Sequence, residues 1–192
     1  MKVILASASP RRKELLKQMG IVFDVVPSRS EERIDPGTAP CTVAMELAFQ
    51  KAMDVAKGIN EKAVIIGADT IVVMDDEILG KPKDERTAFR MLLKLQGKTH
   101  EVITGLAVIE TGSGKWVKDY ERTLVRMAHL SEDEINRYIE TGEPMDKAGA
   151  YGIQGLGGLF VQEIHGCYYN VVGLPIHLLW KILKGMGIET PL

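Results

Sequence analysis

The strongest constraint on the fold is a long apolar run from residue 63 to residue 73, which contains a single charged residue, Asp69. The run is too apolar to form an exposed sheet edge, so it predicts a strand that is covered on both faces. A carboxylate in such a strand needs a partner, because an unpaired buried charge is costly. Asp69 is therefore the first candidate for a functional residue.

The order of the other predicted elements gives the fold class. A strand at Val3–Ala6 precedes a helix from Ser9-Pro10 to Gly20, and Phe23–Val26 is predicted as a second strand. Thr42 is predicted to cap a long helix that runs through Ala56. The later predicted elements are a helix over Asp84–Gln96, a strand pair over Glu101–Ile109 and Trp116–Met127, a helix opened by Ser131, a strand over Leu159–Ile164 and a closing helix from Pro175. Alternating strands and helices followed by a hairpin indicate an α/β chain with a mixed sheet.

Composition limits the class of partner. The chain has 192 residues, 45% of them hydrophobic, which suits one domain over 1–192. Its 24 basic and 26 acidic residues give a net charge of −2, so we expect no nucleic-acid partner and no membrane partner. Two cysteines without metal-type spacing, and an N-terminal apolar run too short for a signal peptide, predict a cytoplasmic protein.

The loop after the first predicted strand has the features of a phosphate site. Ser7 and Ser9 precede Pro10, and Arg11 and Arg12 fall in the first helical turn. Cations at a helix N-terminus are unfavourable unless a bound anion compensates them, and arginine suits phosphate oxygens. The alternative is that both guanidinium groups point into water.

Asp69 and two further residues, Lys51 and Glu32, are candidates for a functional role, and each has a structural alternative. Asp69 is interpreted as a metal ligand or general base, or else as a structural carboxylate. Lys51 falls on the apolar face of its helix, where a lysine either extends its ammonium group to water or meets an anion. Glu32, in the loop from Pro27 to Pro40, is a second possible metal carboxylate or part of a solvated charge cluster.

Other patterns are ambiguous or excluded. Lys81 lies in a predicted Gly80-Lys81-Pro82 turn and is uninformative alone. The segment Gly112–Lys115 lacks the first glycine and the final Ser or Thr of a P-loop. The glycine-rich run Gly152–Gly158 lacks dinucleotide-binding spacing, and the four histidines lack zinc spacing.

Taken together, these segments resemble the Maf nucleotide pyrophosphatases, also called septum formation inhibitor proteins. The resemblance extends over essentially the whole chain. It rests on Leu5–Arg12 with Glu14-Leu15-Leu16, Gln50-Lys51-Ala52, Gly67-Ala68-Asp69-Thr70, Gly80-Lys81-Pro82, Asp146–Gly155 and Val172-Gly173-Leu174-Pro175.

The resemblance implies a fold like that of the inosine triphosphate pyrophosphatases, with an elongated mixed sheet, surrounding helices and a cleft between two lobes. It implies hydrolysis of a nucleoside triphosphate between the α and β phosphates, a divalent cation (Mg or Mn) and a homodimer. Asp69 would accept the proton of the attacking water. The remaining implied phosphate and metal environment is Ser7, Arg11, Arg12, Glu32, Lys51 and Lys81.

The resemblance implies that substrate preference follows three positions, which here are Arg11, Thr70 and Gln154. This set resembles the dTTP and UTP branch, whereas the 7-methyl-GTP branch tends to have tryptophan, glutamine and glutamate there. An amide such as Gln154 can both donate to and accept from a uracil or thymine edge. The alternatives are another base preference, or a regulator of cell division that binds nucleotides without hydrolysing them.

Overall fold

The computed structural model describes residues 1–31 and 33–191 and has a mixed α/β fold, as predicted. Its strands are β1 (Lys2–Leu5), β2 (Asp24–Val25), β3 (Ala63–Met74), β4 (Glu77–Leu79), β5 (Thr99–Glu110), β6 (Trp116–Met127) and β7 (Val161–His165). Its helices are α1 (Pro10–Gln18), α2 (Pro40–Ala56), α3 (Glu85–Leu95), α4 (Glu132–Glu140), α5 (Tyr168–Val172) and α6 (Ile176–Gly185). Short 3₁₀ segments cover Glu143–Asp146, Ala148–Ala150 and Leu156–Phe160.

The described strands form one mixed sheet with the order β2-β1-β3-β5-β6-β7, and β4 pairs with β3. Strand β1 is parallel to both β2 and β3, and Leu5 is the register partner of Ile66. The pairs β3–β4 and β6–β7 are antiparallel. The apolar run found in the sequence is thus an interior strand, and every residue of the run except Thr70 is buried.

The chain divides into two compact units. Unit 1 consists of residues 1–69, 104–121 and 173–192, and unit 2 of residues 70–103 and 122–172. In unit 1, small and branched side chains of β1, β3 and β5 pack against Ala48, Ala52 and Val55 of α2. In unit 2, the core includes Leu92 and Leu95 of α3, Ile135 and Tyr138 of α4, and strand residues such as Val125 and Met127.

The structure differs from the sequence-based expectations at α2, β4 and β7, and helix α5 was also not predicted. Helix α2 begins at Pro40 instead of being capped by Thr42, because a proline has no N–H to lose at the first helical position. Strand β4 was not predicted; it follows a tight turn at Asp75 and Asp76, whose φ angles are 53° and 61°. The last strand begins at Val161, since Leu159 belongs to a 3₁₀ segment.

Cap chemistry explains several helix ends. Ser131 and Glu134 form the predicted capping box at the start of α4. The Asp84 side chain accepts a hydrogen bond from the Thr87 N–H at the start of α3. Ser9 is the N-cap of α1, but its side chain makes no cap hydrogen bond.

Two further features concern the chain as a whole. Cys41 and Cys167 are free thiols. Across 1–31 and 33–191, no helix has the length and apolar character needed to span a membrane.

Candidate active site

Asp69 and Lys51 form an ion pair in unit 1. The Lys51 ammonium donates a hydrogen bond to Asp69 Oδ1, and the two side chains are only 20% and 12% exposed. Lys51 therefore meets an anion on the apolar face of α2, and Asp69 has the partner that its burial requires. Asp69 Oδ2 makes no hydrogen bond to any residue in the described part of the chain.

Two glycines allow α2 to approach the sheet closely enough for this contact. A Cβ atom at Gly67 would lie 2.2 Å from the carbonyl oxygen of Ala48, and one at Gly105 would lie 2.1 Å from that of Ala44. Gly67 and Asp69 are two residues apart on β3, so they face the same side of the sheet. The close approach at Gly67 thus brings Lys51 within reach of Asp69.

The loop that follows β1 begins at the carboxyl end of that strand, next to the part of β3 that precedes Asp69. The Ala6 N–H donates to the Ile66 carbonyl oxygen at 2.8 Å, which extends the parallel pairing one residue beyond β1. Ser7 follows directly, and Asp69 lies three residues beyond Ile66. The carboxyl ends of parallel strands are the usual location of ligand sites in α/β sheets.

Arg12 has a structural function that the sequence did not reveal. Its Nε donates to the carbonyl oxygen of Gly173 at 2.8 Å, and its Nη1 donates to Ser7 Oγ at 3.2 Å. Ser7 Oγ also accepts the Ser9 N–H at 3.3 Å. Arg12 therefore ties the β1–α1 loop to the segment before α6. Arg11 lies in the first turn of α1, is partly buried, and has no acidic neighbour in that turn.

The predicted functional loop from residue 27 to residue 40 is fastened to α2 by two side chains that were not predicted as functional. Gln50 bonds both backbone groups of Arg33, at 3.1 Å to the N–H and 2.7 Å to the carbonyl oxygen. Asp54 accepts from Ser28 Oγ and from the Arg29 N–H at 2.9 and 2.8 Å. Gln50 and Asp54 are four residues apart and so share a polar face of α2, which is the sequence pattern that could have identified them. Glu32 itself lies outside the described residues.

Lys81 belongs to unit 2. It is exposed and lies between β4 and α3 in a segment without regular structure. The Gly149 N–H donates to the Gly80 carbonyl oxygen at 3.1 Å, so two of the segments that carried the resemblance are in direct contact. Gly149 has a φ of +70°, and a Cβ atom there would lie 2.9 Å from the Val72 side chain. A glycine is therefore required at this junction.

Gln154 also belongs to unit 2, where it occupies a tight turn. The Gly155 N–H donates to the Gly152 carbonyl oxygen at 3.3 Å, which closes the turn around Ile153 and Gln154. The Gln154 side chain is exposed and bonds to none of the residues that the structure describes. Thr70 follows Asp69 on β3 and points to the opposite face of the strand.

The candidate residues of unit 1 therefore converge in two pairs, Lys51 with Asp69 and Ser7 with Arg12. Within residues 1–31 and 33–191, no cluster of three or more His, Cys, Asp or Glu side chains suits a metal ion. Asp69 nevertheless provides one oxygen that is not used by Lys51, and Mg²⁺ commonly takes one or two carboxylates together with substrate phosphates. The chemistry of this donor fits a cation that arrives with a nucleotide.

Comparison with known proteins bears on the family to which the chain belongs. A family model described as Maf-like protein matches residues 2–186. A protein of Thermoanaerobacter sp. (strain X514), named dTTP/UTP pyrophosphatase, is 53% identical over 184 residues and covers 96% of each chain. A protein of Alkaliphilus oremlandii (strain OhILAs) with the same name is 55% identical over 183 residues and covers 95% of each chain.

A solved structure, that of the Staphylococcus aureus Ham1 protein, matches with a TM-score of 0.54 over 97% of this chain and 100% of that chain. At 16% sequence identity, that likeness shows the fold alone. The family model and the relatives together confirm the resemblance found in the sequence, and the chain belongs to the Maf-like protein family.

Proposed function

We propose that this protein is a nucleoside triphosphate pyrophosphatase that hydrolyses dTTP and UTP to the monophosphate and pyrophosphate. Relatives with more than half of their residues identical have the name dTTP/UTP pyrophosphatase. The observation that carries the proposal is the Lys51–Asp69 pair, in which the one carboxylate of the buried apolar strand β3 is held by a cation.

The pair suits a water-activating role. Lys51 occupies Oδ1 and fixes the orientation of the carboxylate, while Oδ2 is left for a water molecule or a cation. A triphosphate that arrives beside this pair competes for the Lys51 ammonium group, since phosphate oxygens are strong acceptors. Asp69 then holds the water for attack on the α phosphorus and accepts its proton.

Positive charge is required around the phosphates. Enzymes catalyse in-line attack on a polyphosphate mainly by positioning the reactants and neutralising the phosphate charge, and not by forming covalent intermediates. Arg11 and Lys51 are proposed to supply it from α1 and α2. Arg12 supports the loop and is proposed to share this role, and Lys81 is proposed as a further contact on the basis of the resemblance.

A divalent cation is proposed to be held by Asp69, with Glu32 as a second carboxylate. Such an ion neutralises phosphate charge and polarises the reacting phosphoryl group. The protein's own contribution is to orient the carboxylate through Lys51 and Gly67.

Base selection is proposed to depend on Gln154, with Arg11 and Thr70 as the other determinants. The exposed Gln154 amide has both a donor and an acceptor to offer to a uracil or thymine edge. The homodimer, the cytoplasmic location and the lack of a nucleic-acid partner stay predictions from the sequence.

The test is the substitution Asp69→Asn, with pyrophosphate release from dTTP and thermal unfolding measured on the same preparations. The amide is nearly isosteric, so we expect a folded protein whose kcat falls by about a hundredfold or more, because it has lost its proton acceptor. Asp119→Asn, which alters an exposed carboxylate of β6, is the matched control and should keep full activity.

Two results would contradict the proposal. Wild-type turnover by Asp69→Asn would show that Asp69 is not the proton acceptor. Tight binding of dTTP by the wild-type protein, without pyrophosphate release in Mg²⁺ or Mn²⁺, would favour the nucleotide-sensing regulator instead.

A further inference from the structure

Glu143, which was not predicted from the sequence as a functional residue, holds the turn that contains Gln154. Glu143, in the 3₁₀ segment after α4, accepts three hydrogen bonds. Its Oε1 accepts from the Gly157 N–H at 3.1 Å and from the Tyr138 hydroxyl at 2.9 Å, and its Oε2 accepts from the Leu156 N–H at 2.9 Å. One carboxylate thus fixes the backbone on the C-terminal side of Gln154.

The N-terminal side of the turn is fixed by the same network. The Tyr138 hydroxyl, while donating to Glu143, accepts the Gly152 N–H at 3.3 Å. The Tyr138 ring is buried in the core of unit 2 and packs edge-on against Phe160 at 4.9 Å between ring centroids. Gln154 therefore lies between two held backbone positions, one bonded to Tyr138 of α4 and the other to Glu143 of the 3₁₀ segment that follows α4.

The glycine-rich sequence around Gln154 has a steric explanation in this network. A Cβ atom at Gly155 would lie 2.4 Å from both carboxylate oxygens of Glu143. One at Gly157 would lie 2.6 Å from the Tyr138 hydroxyl oxygen, and one at Gly152 would lie 2.5 Å from Lys147 Cε. These glycines admit the side chains that clamp the turn, which is a different function from binding a dinucleotide.

The charge state of Glu143 favours its hydrogen bonds to the turn at neutral pH. Burial acts to raise the pKa of Glu143, but the hydrogen bonds from Leu156, Gly157 and Tyr138 outweigh it and lower the pKa overall. The carboxylate is ionised at neutral pH and accepts charge-assisted hydrogen bonds, which are stronger than neutral ones. Lys147 adds a contact of 2.5 Å from its ammonium group to the Glu143 carbonyl oxygen.

Gln154 is thus a fixed backbone position with a side chain that makes no bond to the described residues. An amide whose backbone is held in this way loses less conformational entropy when it binds a ligand than one on a mobile loop. A shift of the backbone would move the donor and the acceptor of the Gln154 amide together. Discrimination between bases would then be impaired more than hydrolysis at the phosphates.

We infer that Glu143 is a positioning residue that, with Tyr138, holds Gln154 for recognition of the pyrimidine edge and so determines the preference for thymine and uracil over cytosine. The inference rests on the proposed function, because it requires that the protein hydrolyses pyrimidine triphosphates. It predicts a defect in selectivity and KM, in contrast to the defect in kcat expected for Asp69→Asn.

The experiment measures kcat and KM for dTTP and dCTP in the wild-type protein and in Glu143→Gln, Tyr138→Phe, Gln154→Ala and the double variant Glu143→Gln/Gln154→Ala. Glu140→Gln is the matched control, because it removes a nearby exposed carboxylate of α4. Amide hydrogen exchange over residues 152–158 reports on the turn directly.

We expect Glu143→Gln and Tyr138→Phe to raise the KM for dTTP by about tenfold, as for the loss of one hydrogen bond to a charged group, with kcat within about twofold. The ratio of kcat/KM for dTTP to that for dCTP should fall, and exchange over residues 152–158 should speed up. The double variant should lose no more selectivity than Gln154→Ala alone, because both changes act through one contact.

The two possible failures are distinguishable. A wild-type protein that hydrolyses neither triphosphate, or both equally, refutes the proposed function and the inference with it. A selective wild-type protein whose Glu143→Gln variant keeps the wild-type ratio, or loses kcat equally for both substrates, overturns the inference alone. Additive losses in the double variant would also overturn it.

Discussion

Lys51 lies among small apolar residues of α2, and its ammonium group meets the one carboxylate of the apolar strand. The helical period placed Lys51 on the apolar face, and hydropathy marked Asp69. Neither pattern predicted that Lys51 and Asp69 would form an ion pair, because that contact depends on how closely α2 approaches β3. The hydrogen bonds of Arg12 and Glu143 could not be predicted either, since both end on backbone groups of distant loops.

Another buried polar residue leads to a prediction about pH. His100 is 2% exposed, its Nε2 is 2.8 Å from the Tyr151 hydroxyl, and its Nδ1 has no partner among residues 1–31 and 33–191. Burial lowers the pKa of His100 from 6.5 to about 4. The unfolded chain therefore binds a proton in this pH window more readily than the folded chain does.

We expect the free energy of unfolding to fall between pH 6.5 and pH 4, with His100 contributing up to about 3 kcal/mol of that loss. None of this loss is present above pH 6.5, where His100 is neutral in both the folded and the unfolded chain, and it is complete below about pH 4. Urea titrations at several pH values should show a shallower pH dependence for His100→Gln than for the wild-type protein. His177→Gln, which changes an exposed histidine, is the matched control; equal slopes for His100→Gln and the wild-type protein would exclude the assignment.

At the scale of elements, hydrophobic periodicity and end signals predicted most helices and strands to within a few residues. Long elements such as β3 and α3 have many residues that agree on one pattern. Strand β4 was missed because Glu77, Ile78 and Leu79 are too few to show a period. The contact of α2 with the sheet could not be predicted from the sequence either. A glycine inside a strand indicates a close approach but not which element makes it.

That contact can be tested with Gly67→Ala. The new methyl group would lie 2.2 Å from the Ala48 carbonyl oxygen and 2.9 Å from the Ala52 Cβ, so α2 must move. We expect a destabilisation of about 1–3 kcal/mol from overpacking, together with a loss of activity as Lys51 withdraws from Asp69. Urea unfolding and dTTP hydrolysis measure the two effects. Gly58→Ala, whose Cβ would meet only the Val55 carbonyl oxygen at 3.6 Å, should be nearly neutral, and an equal loss in both variants would contradict the explanation.

For the whole molecule, mixed α/β architecture followed from element order, and family membership followed from motifs spread along the chain. The positions of loops did not follow, because they depend on side chains such as Gln50 and Asp54 that bond to backbone far away in sequence. Glu32 lies outside the described residues, so its predicted role as a metal ligand stays a prediction.

The proposed dependence on a divalent cation can be tested directly on the whole protein. Removal of divalent cations with EDTA should lower dTTP hydrolysis by about a hundredfold or more, and Mg²⁺ or Mn²⁺ should restore it, since the ion offsets phosphate charge in the transition state. Thermal unfolding with a non-hydrolysable dTTP analogue, with and without Mg²⁺, gives a readout independent of turnover. An undiminished rate in EDTA would argue against a required metal.

The chain passes between the two compact units four times, after residues 69, 103, 121 and 172. The first three passages occur within β3, β5 and β6. Neither unit is a continuous stretch of polypeptide, so no single truncation releases one of them intact. During synthesis, unit 2 is complete once residue 172 has been added, whereas unit 1, which contains the first residues of the chain, also needs residues 173–192 and is completed last.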